Sequence, residues 1–238
     1  MRVSDIVVLK EDNSSNLVTV NSELNPILWK DGKLDAQVVE KLKEIAKAFV
    51  DFIGIPLNVV DYTITGSNAN YTWNNYSDLD LHIIIKETPS TEQRELFTAK
   101  KALWADKHTI TIKKIPVECY IQGQDEPHFS TGVYSIKQGD WKVHPEKVKP
   151  HIDDISVQSK KDAIVKAIEK ALSENDLDAL ISVKEKIVKM RKAGLERAGE
   201  WSAENLAFKT LRNLGLIDML SDKIRELEDQ SLSLETLK

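Results

Sequence analysis

Residues 66–85 constrain this chain more than any other stretch. They read Gly66-Ser67, a polar Asn-rich loop, then Asp78-Leu79-Asp80-Leu81-His82-Ile83-Ile84-Ile85. The apolar run after Asp78 has the length and the β-branched content of a strand, and on a strand successive side chains point to opposite faces. Asp78, Asp80 and His82 therefore share one face, while Leu79, Leu81 and Ile83 share the other. Two carboxylates at i and i+2 on one face repel each other unless a cation lies between them. All-oxygen ligation of that kind suits a hard ion such as Mg²⁺, or Mn²⁺. A Gly-Ser turn just upstream lets backbone and hydroxyl come close to a phosphate. The competing reading of the aspartate pair is a solvated strand end with Asp in a turn.

The order Ile64-Thr65-Gly66-Ser67, a loop, and Asp78-Leu79-Asp80-Leu81 resembles the signature of the DNA polymerase beta-type nucleotidyltransferases. That family uses a third carboxylate on a later strand. Pro116-Val117-Glu118-Cys119-Tyr120-Ile121 offers one, with Val117, Cys119 and Ile121 on one face and Glu118 on the other. The resemblance covers about the middle half of the chain and implies a two-metal reaction. Asp78 and Asp80 would bridge both metals and Glu118 would complete one of them. Gly66 and Ser67 would hold the outgoing phosphates. It also implies an α+β fold: a nucleotidyltransferase-like mixed sheet with flanking helices, then a C-terminal helical bundle, with nucleotide held in a cleft between. Should Glu118 fail as third ligand, Asp61, Asp125 and Glu126 are the acids to test next.

The 238 residues suit one large domain or two small ones. No apolar run approaches the roughly 20 residues a membrane helix needs, and the patch Ile6-Val7-Val8-Leu9 is too short for a secretory signal. A lone cysteine, Cys119, excludes an internal disulfide framework and fits a cytoplasmic protein. The net charge of −5 argues against a protein coated with long nucleic acid, though not against a tRNA-sized acceptor.

Taken in order, residues 1–34 read as an N-terminal arm that packs on the core with little regular structure, with turn signals at residues 12–16, Asn25-Pro26 and Asp31-Gly32. A catalytic domain over 35–150 follows. Asp35 caps a helix running to about Ile53, stopped by Gly54 and Pro56. A short strand over 61–65 feeds Gly66. Ser90 and Gln93 form a capping box for a second helix that buries Leu96, Ala99, Leu103 and Trp104. Strands are expected over 109–112 and 117–122, as one hairpin about Lys113-Lys114, and over 131–137. Residues 141–150 read as a connector. The C-terminal domain, 151–238, is helical throughout: Asn175 caps its second helix, Ser202 caps its third, Gly215 closes that one, and the last residues fray.

Other groups leave alternatives open. His82 either contacts phosphate or substrate, or is structural. Tyr71, Trp73 and Tyr76 either stack on a base or anchor the long loop, the commoner use of such aromatics. Asn68, Asn70, Asn74 and Asn75 suit tight turns. The basic run Lys184, Lys186, Lys189, Arg191, Lys192 and Arg197 is either a triphosphate clamp, with Lys189 and Arg191 foremost, or a nucleic-acid contact, or a solvated helix face. Lys100 and Lys101 face the same choice.

Two further stretches, residues 24–29 and residues 191–209, resemble segments of tailed-phage nucleotidyltransferase-like proteins; this implies a phage origin and a host-cytoplasm location, and carries no chemistry. The reading is a two-metal nucleotidyltransferase that moves a nucleoside monophosphate from a nucleoside triphosphate, ATP or another, to a hydroxyl. The acceptor classes are an RNA 3′ end, a nucleotide or small molecule, and a protein side chain; no membrane partner is expected. The rival is a catalytically inactive nucleotide-binding or phage structural protein that keeps the fold.

Overall fold

The computed structural model describes residues 20–128, 130–147 and 152–234, in two compact units, 20–147 and 152–234. Residues 1–19, with the apolar patch at 6–9 and the turn at 12–16, Phe129, and residues 148–151 and 235–238 lie outside the described residues.

In the first unit the chain enters through a small antiparallel pair, β1 (Trp29–Lys30) and β2 (Lys33–Leu34). Helix α1 (Ala36–Ile53) follows. Asp35 caps it, accepting from the Gln37 amide at 2.9 Å, and Gly54 ends it at φ 81, a left-handed position natural to glycine. Its buried stripe is Val38, Leu42, Ile45, Ala46, Phe49 and Ile53. Strand β3 (Val59–Thr65) leads through a 3₁₀ turn at Ser67–Ala69 and the polar loop to β4 (Leu79–Ile85). Helix α2 (Thr91–Lys107) carries the expected Ser90–Gln93 capping box. Strands β5 (Thr111–Ile112) and β6 (Ile115–Gly123) form the hairpin, its turn made by Lys113 and Lys114 at φ 50 and 72. Strands β7 (Val133–Ser135) and β8 (Asp140–Val143) complete the sheet.

The six strands lie in the order β5-β6-β4-β3-β7-β8. Only β4 and β6 run parallel; every other pair is antiparallel, so the sheet is mixed. A parallel pair needs a crossover, and α2 supplies it. Both helices pack on the face that carries Leu79, Leu81, Ile83 and Cys119. Leu79, Leu81 and Ile83 are 0% exposed, each contributing about 1.5–3 kcal/mol by its burial. The opposite face is polar, and it carries the site.

Two expectations are corrected here. Residues 140–143 are an edge strand rather than connector: Trp141 stacks on Trp29 at 4.7 Å and donates its indole N–H to the Gly32 carbonyl. On α2 it is Phe97 that is buried, while Leu103 is 43% exposed, Ala99 is exposed and Leu96 half-buried. Trp104, half-buried, meets Phe49 and Phe52. Residues 20–34 pack on the core, where Leu28, Trp29 and Leu34 join it.

The second unit is helical: α3 (Asp154–Glu174), α4 (Leu177–Ala198), α5 (Ala203–Asn213) and α6 (Leu216–Leu232). Ile164, Ile168, Leu180, Ile187, Leu211 and Leu220 lie in its core. Gly194 lets α4 approach α5 closely, because a Cβ there would meet that of Glu204 at 2.6 Å. Ser202 caps α5 as expected. Asn175 is not the cap of α4 but the left-handed C-cap of α3, at φ 51; Asp176 caps α4. Gly215 opens α6 at φ 75, one residue past the Leu214 cap of α5. No helix among the described residues is long and apolar enough to cross a membrane.

Candidate active site

The site is built from strand register. Asp80 on β4 pairs with Glu118 on β6 and with Thr65 on β3; in the next row His82 pairs with Tyr120 and with Thr63. Paired residues share a face, so the aspartate strand and the glutamate strand bring their acids side by side. Asp78 joins them from just before β4. One oxygen from each of Asp78, Asp80 and Glu118 lies within 4.8 Å of the others.

Gly66 closes the floor. It adopts φ 73 and ψ −162, a region essentially confined to glycine, and a Cβ on it would lie 2.0 Å from Oδ2 of Asp80. Its amide donates to the Ser130 hydroxyl at 3.1 Å. Ser67 begins the 3₁₀ turn and its hydroxyl donates to the Ser77 hydroxyl at 2.8 Å. Ser77 in turn accepts from the Asn74 amide. The loop ahead of Asp78 is thus held from within at the position next to the acids.

Burial dominates the electrostatics. Removal from water, reinforced by Asp78 and Glu118, pushes the Asp80 carboxyl up from 3.8 to about 7. Lys101 and a hydrogen bond from Tyr120 pull the other way. His82 is lowered to about 4, again mainly by burial, and is neutral near pH 7. It stacks on Tyr120 at 4.7 Å and meets the Gln122 side-chain oxygen through Nδ1 at 2.7 Å. These contacts place His82 as part of the wall.

An all-carboxylate donor set with a desolvated aspartate whose pKa is raised is an unfavourable arrangement that a divalent cation would relieve. The residues therefore fit a hard cation such as Mg²⁺ or Mn²⁺. The cradle at Gly66, where a Cβ would lie 2.0 Å from Oδ2 of Asp80, fits the same group.

Several residues make contacts here that the sequence reading did not give them. Asn68, 0% exposed, donates to the Asp78 carbonyl at 2.7 Å and accepts from Asn25 at 2.9 Å, while its own carbonyl accepts the Trp29 indole N–H. It looked like a turn residue. Tyr120 donates to Oε2 of Glu118 at 2.6 Å; its place two residues after Glu118 on the same strand face was the available signal. Lys101 donates to the same oxygen at 2.8 Å and sits 3.5 Å from the Tyr120 ring centre. Lys100 instead caps α1, donating to the Phe52 carbonyl. Asp61, the reserve acid, is bound to Lys142 at 2.6 Å and Ser135 at 2.9 Å. Glu126 pairs with Arg94 and accepts from the Gly123 amide. Tyr71 and Trp73 are loop anchors: Asn21 donates to both their carbonyls, and the Trp73 indole donates to the Glu23 carbonyl.

Lys189 and Arg191 belong to the helical unit, on α4. Lys189 is exposed and pairs with Glu185 at 2.9 Å. Arg191 lies 4.3 Å over the Phe208 ring and donates to Asn205. Arg197 donates twice to Glu204.

No protein-family model matches the sequence, and no curated protein matches it. Among solved structures, the spectinomycin adenyltransferase AAD(9) from Enterococcus faecialis, with ATP and spectinomycin, aligns at 14% identity over 79% of this chain and 98% of its own, with a TM-score of 0.24. The STING-associated CdnE c-di-GMP synthase from Capnocytophaga granulosa aligns at 14% identity over 96% of this chain and 94% of its own, with a TM-score of 0.22. By name the first is an adenyltransferase and the second a c-di-GMP synthase, and neither supports a phage origin. Superpositions this loose assign no role to any residue here; the roles below rest on the geometry.

Proposed function

We propose that this chain is a metal-dependent nucleotidyltransferase. The observation that carries the reading is the convergence of Asp78, Asp80 and Glu118 beside Gly66 and Ser67. In the reaction, an acceptor hydroxyl oxygen attacks the α-phosphorus of a nucleoside triphosphate. A new P–O bond forms, the bond to the α,β-bridging oxygen breaks, pyrophosphate leaves, and the hydroxyl proton passes to solvent. Such transfers ask a protein for positioning and charge neutralisation more than for covalent chemistry.

Asp78 and Asp80 would hold a divalent cation, which when bound neutralises charge on the phosphates. The Gly66 turn keeps that corner free of side chains, and Ser67 offers a hydroxyl beside it. Glu118, with a cation of its own, would face the acceptor hydroxyl. Lys189 and Arg191 are proposed as contacts to the triphosphate. The support for Lys189 is its exposed ammonium; the guanidinium of Arg191 already covers Phe208.

The test is transfer of label. The protein, Mg²⁺ and each α-³²P triphosphate are incubated with an RNA pool, a small-molecule pool or a protein extract. Label should appear on one acceptor class with release of pyrophosphate, and Asp78→Asn should abolish it. Binding of triphosphate with no transfer to any pool would replace this reading with a nucleotide-binding module.

A further inference from the structure

We infer that Lys101 is the second cation of the site: its ammonium, and not a second divalent ion, serves Glu118, so the chain takes one divalent ion, on Asp78 and Asp80. This deepens the nucleotidyl-transfer reading and rests on it.

Glu118 is already committed. Its Oε2 accepts from the Lys101 ammonium at 2.8 Å and from the Tyr120 hydroxyl at 2.6 Å. Two strong donors on one carboxylate oxygen leave little room there for a metal. A divalent ion bound at that oxygen would also stand in contact range of an ammonium, where like charges repel hardest.

Lys101 is held by the Glu118 carboxylate and the Tyr120 ring. Its ammonium lies 3.5 Å from the Tyr120 ring centre, inside cation–π range. Tyr120 is itself stacked on His82, which meets Gln122. The lysine stem borders a cavity of about 300 Å³ between α2 and β6, beside Phe49, Phe97 and Thr98. On α2, Lys101 falls four residues after Phe97 and three before Trp104, on the helix face turned to the sheet. Strand β5 pairs with β6 at Ile115 and Pro116, and the Val117 amide donates to the Ile110 carbonyl just past them. Beyond that, no strand among the described residues pairs with this side of β6, and Lys101 meets Glu118 there. A side chain anchored this way differs from a surface lysine that meets a carboxylate by chance: the Lys101 side chain is 32% exposed, against 76% for Lys189.

The consequence is a count. Mn²⁺ is titrated into the full-length protein carrying one equivalent of α,β-methylene ATP, and free Mn²⁺ is read by electron paramagnetic resonance. Wild type should bind one ion per complex. Lys101→Met keeps the apolar stem and removes the charge; it should bind two, and the second should vanish in the Lys101→Met/Glu118→Gln double variant. Lys101→Arg should restore a count of one. Lys101→Gln repeats the measurement with a polar head, should methionine unsettle the fold. Two ions in wild type, or one in both neutral variants, would overturn the inference while leaving nucleotidyl transfer intact. No ion and no analogue bound by wild type would overturn the transfer reading and this inference with it.

Discussion

Gly66 and Asp80 stand so close that a Cβ on the glycine would lie 2.0 Å from Oδ2 of the aspartate. Gly66→Ala must therefore move the carboxylate as well as strain the backbone at φ 73. The expected outcome is a loss of about 1–3 kcal/mol of stability from strain, with Mn²⁺ affinity reduced at least tenfold. Denaturant unfolding and a Mn²⁺ titration check the two parts separately. Unchanged Mn²⁺ affinity would remove Asp80 from the metal site.

Glu118→Gln keeps the side-chain shape and removes the charge that Lys101 and Tyr120 meet. It should still bind triphosphate and lose transfer by about 10²-fold or more, the scale of losing one electrostatic stabiliser of the transition state. Single-turnover rates beside a binding isotherm read this. A variant as active as wild type would mean that Glu118 has no part in the reaction.

Two titrations act oppositely on the stability of the metal-free protein. Asp80 is raised from 3.8 to about 7, so its contribution is full below 3.8 and is lost as pH rises through about 7. His82 is lowered from 6.5 to about 4, so its contribution is full above 6.5 and is lost as pH falls toward 4. Each slope has a ceiling of about 1.4 kcal/mol per pH unit. Relative to wild type, Asp80→Asn should therefore gain stability with rising pH, and His82→Asn should lose it. Melting curves in a chelator, taken from acid to neutral pH, give both difference profiles. Parallel profiles for all three proteins would refute the assignment.

Asn68→Ala should destabilise the protein by about 1–3 kcal/mol for each buried partner left unsatisfied. Its partners are the Asn25 amide and the Asp78 carbonyl. Because the second of these positions an acid, Mn²⁺ binding should weaken too. Loss of stability with intact Mn²⁺ binding would make Asn68 a loop brace only.

Lys189→Ala removes one exposed i,i+4 pair, worth about 0.3–0.5 kcal/mol, and should weaken triphosphate binding if its ammonium serves phosphate. Arg191→Ala also uncovers Phe208 and frees Asn205, so it should lower the melting temperature as well. Triphosphate affinity unchanged in the double variant would assign the whole run to helix packing and solvent.

The local chemistry was legible in the sequence where one residue decides the outcome. Asp35, Gly54, the Ser90–Gln93 box and Ser202 act as read, because caps depend on neighbours along the chain. Alternation placed Asp78, Asp80 and Glu118 on strand faces, and pairing then set them together. What escaped depends on partners distant in sequence. Nothing near Asn68 announces Asn25, 43 residues away. Lys101 sits in a helix with a weak apolar stripe, so its inward position shows only once β6 lies beside it. Trp141 read as connector because a short edge strand carries few residues to reveal a period. Asn175 and Asp176 are both good cap residues, and which one ends a helix and which begins one depends on the left-handed turn at Asn175.

The chain has a single thiol, and β6 puts it back to back with the acidic face: Cys119 is buried under α2, its pKa pushed by that burial to about 12. An alkylating reagent reacts with thiolate, so it meets this cysteine only when β6 parts from the helix. The alkylation rate of the untouched protein is therefore a clock for breathing of the sheet that carries Glu118, blind to the helical unit. A divalent ion or nucleotide that tightens the acidic face would slow that clock without any label, tag or substitution being introduced.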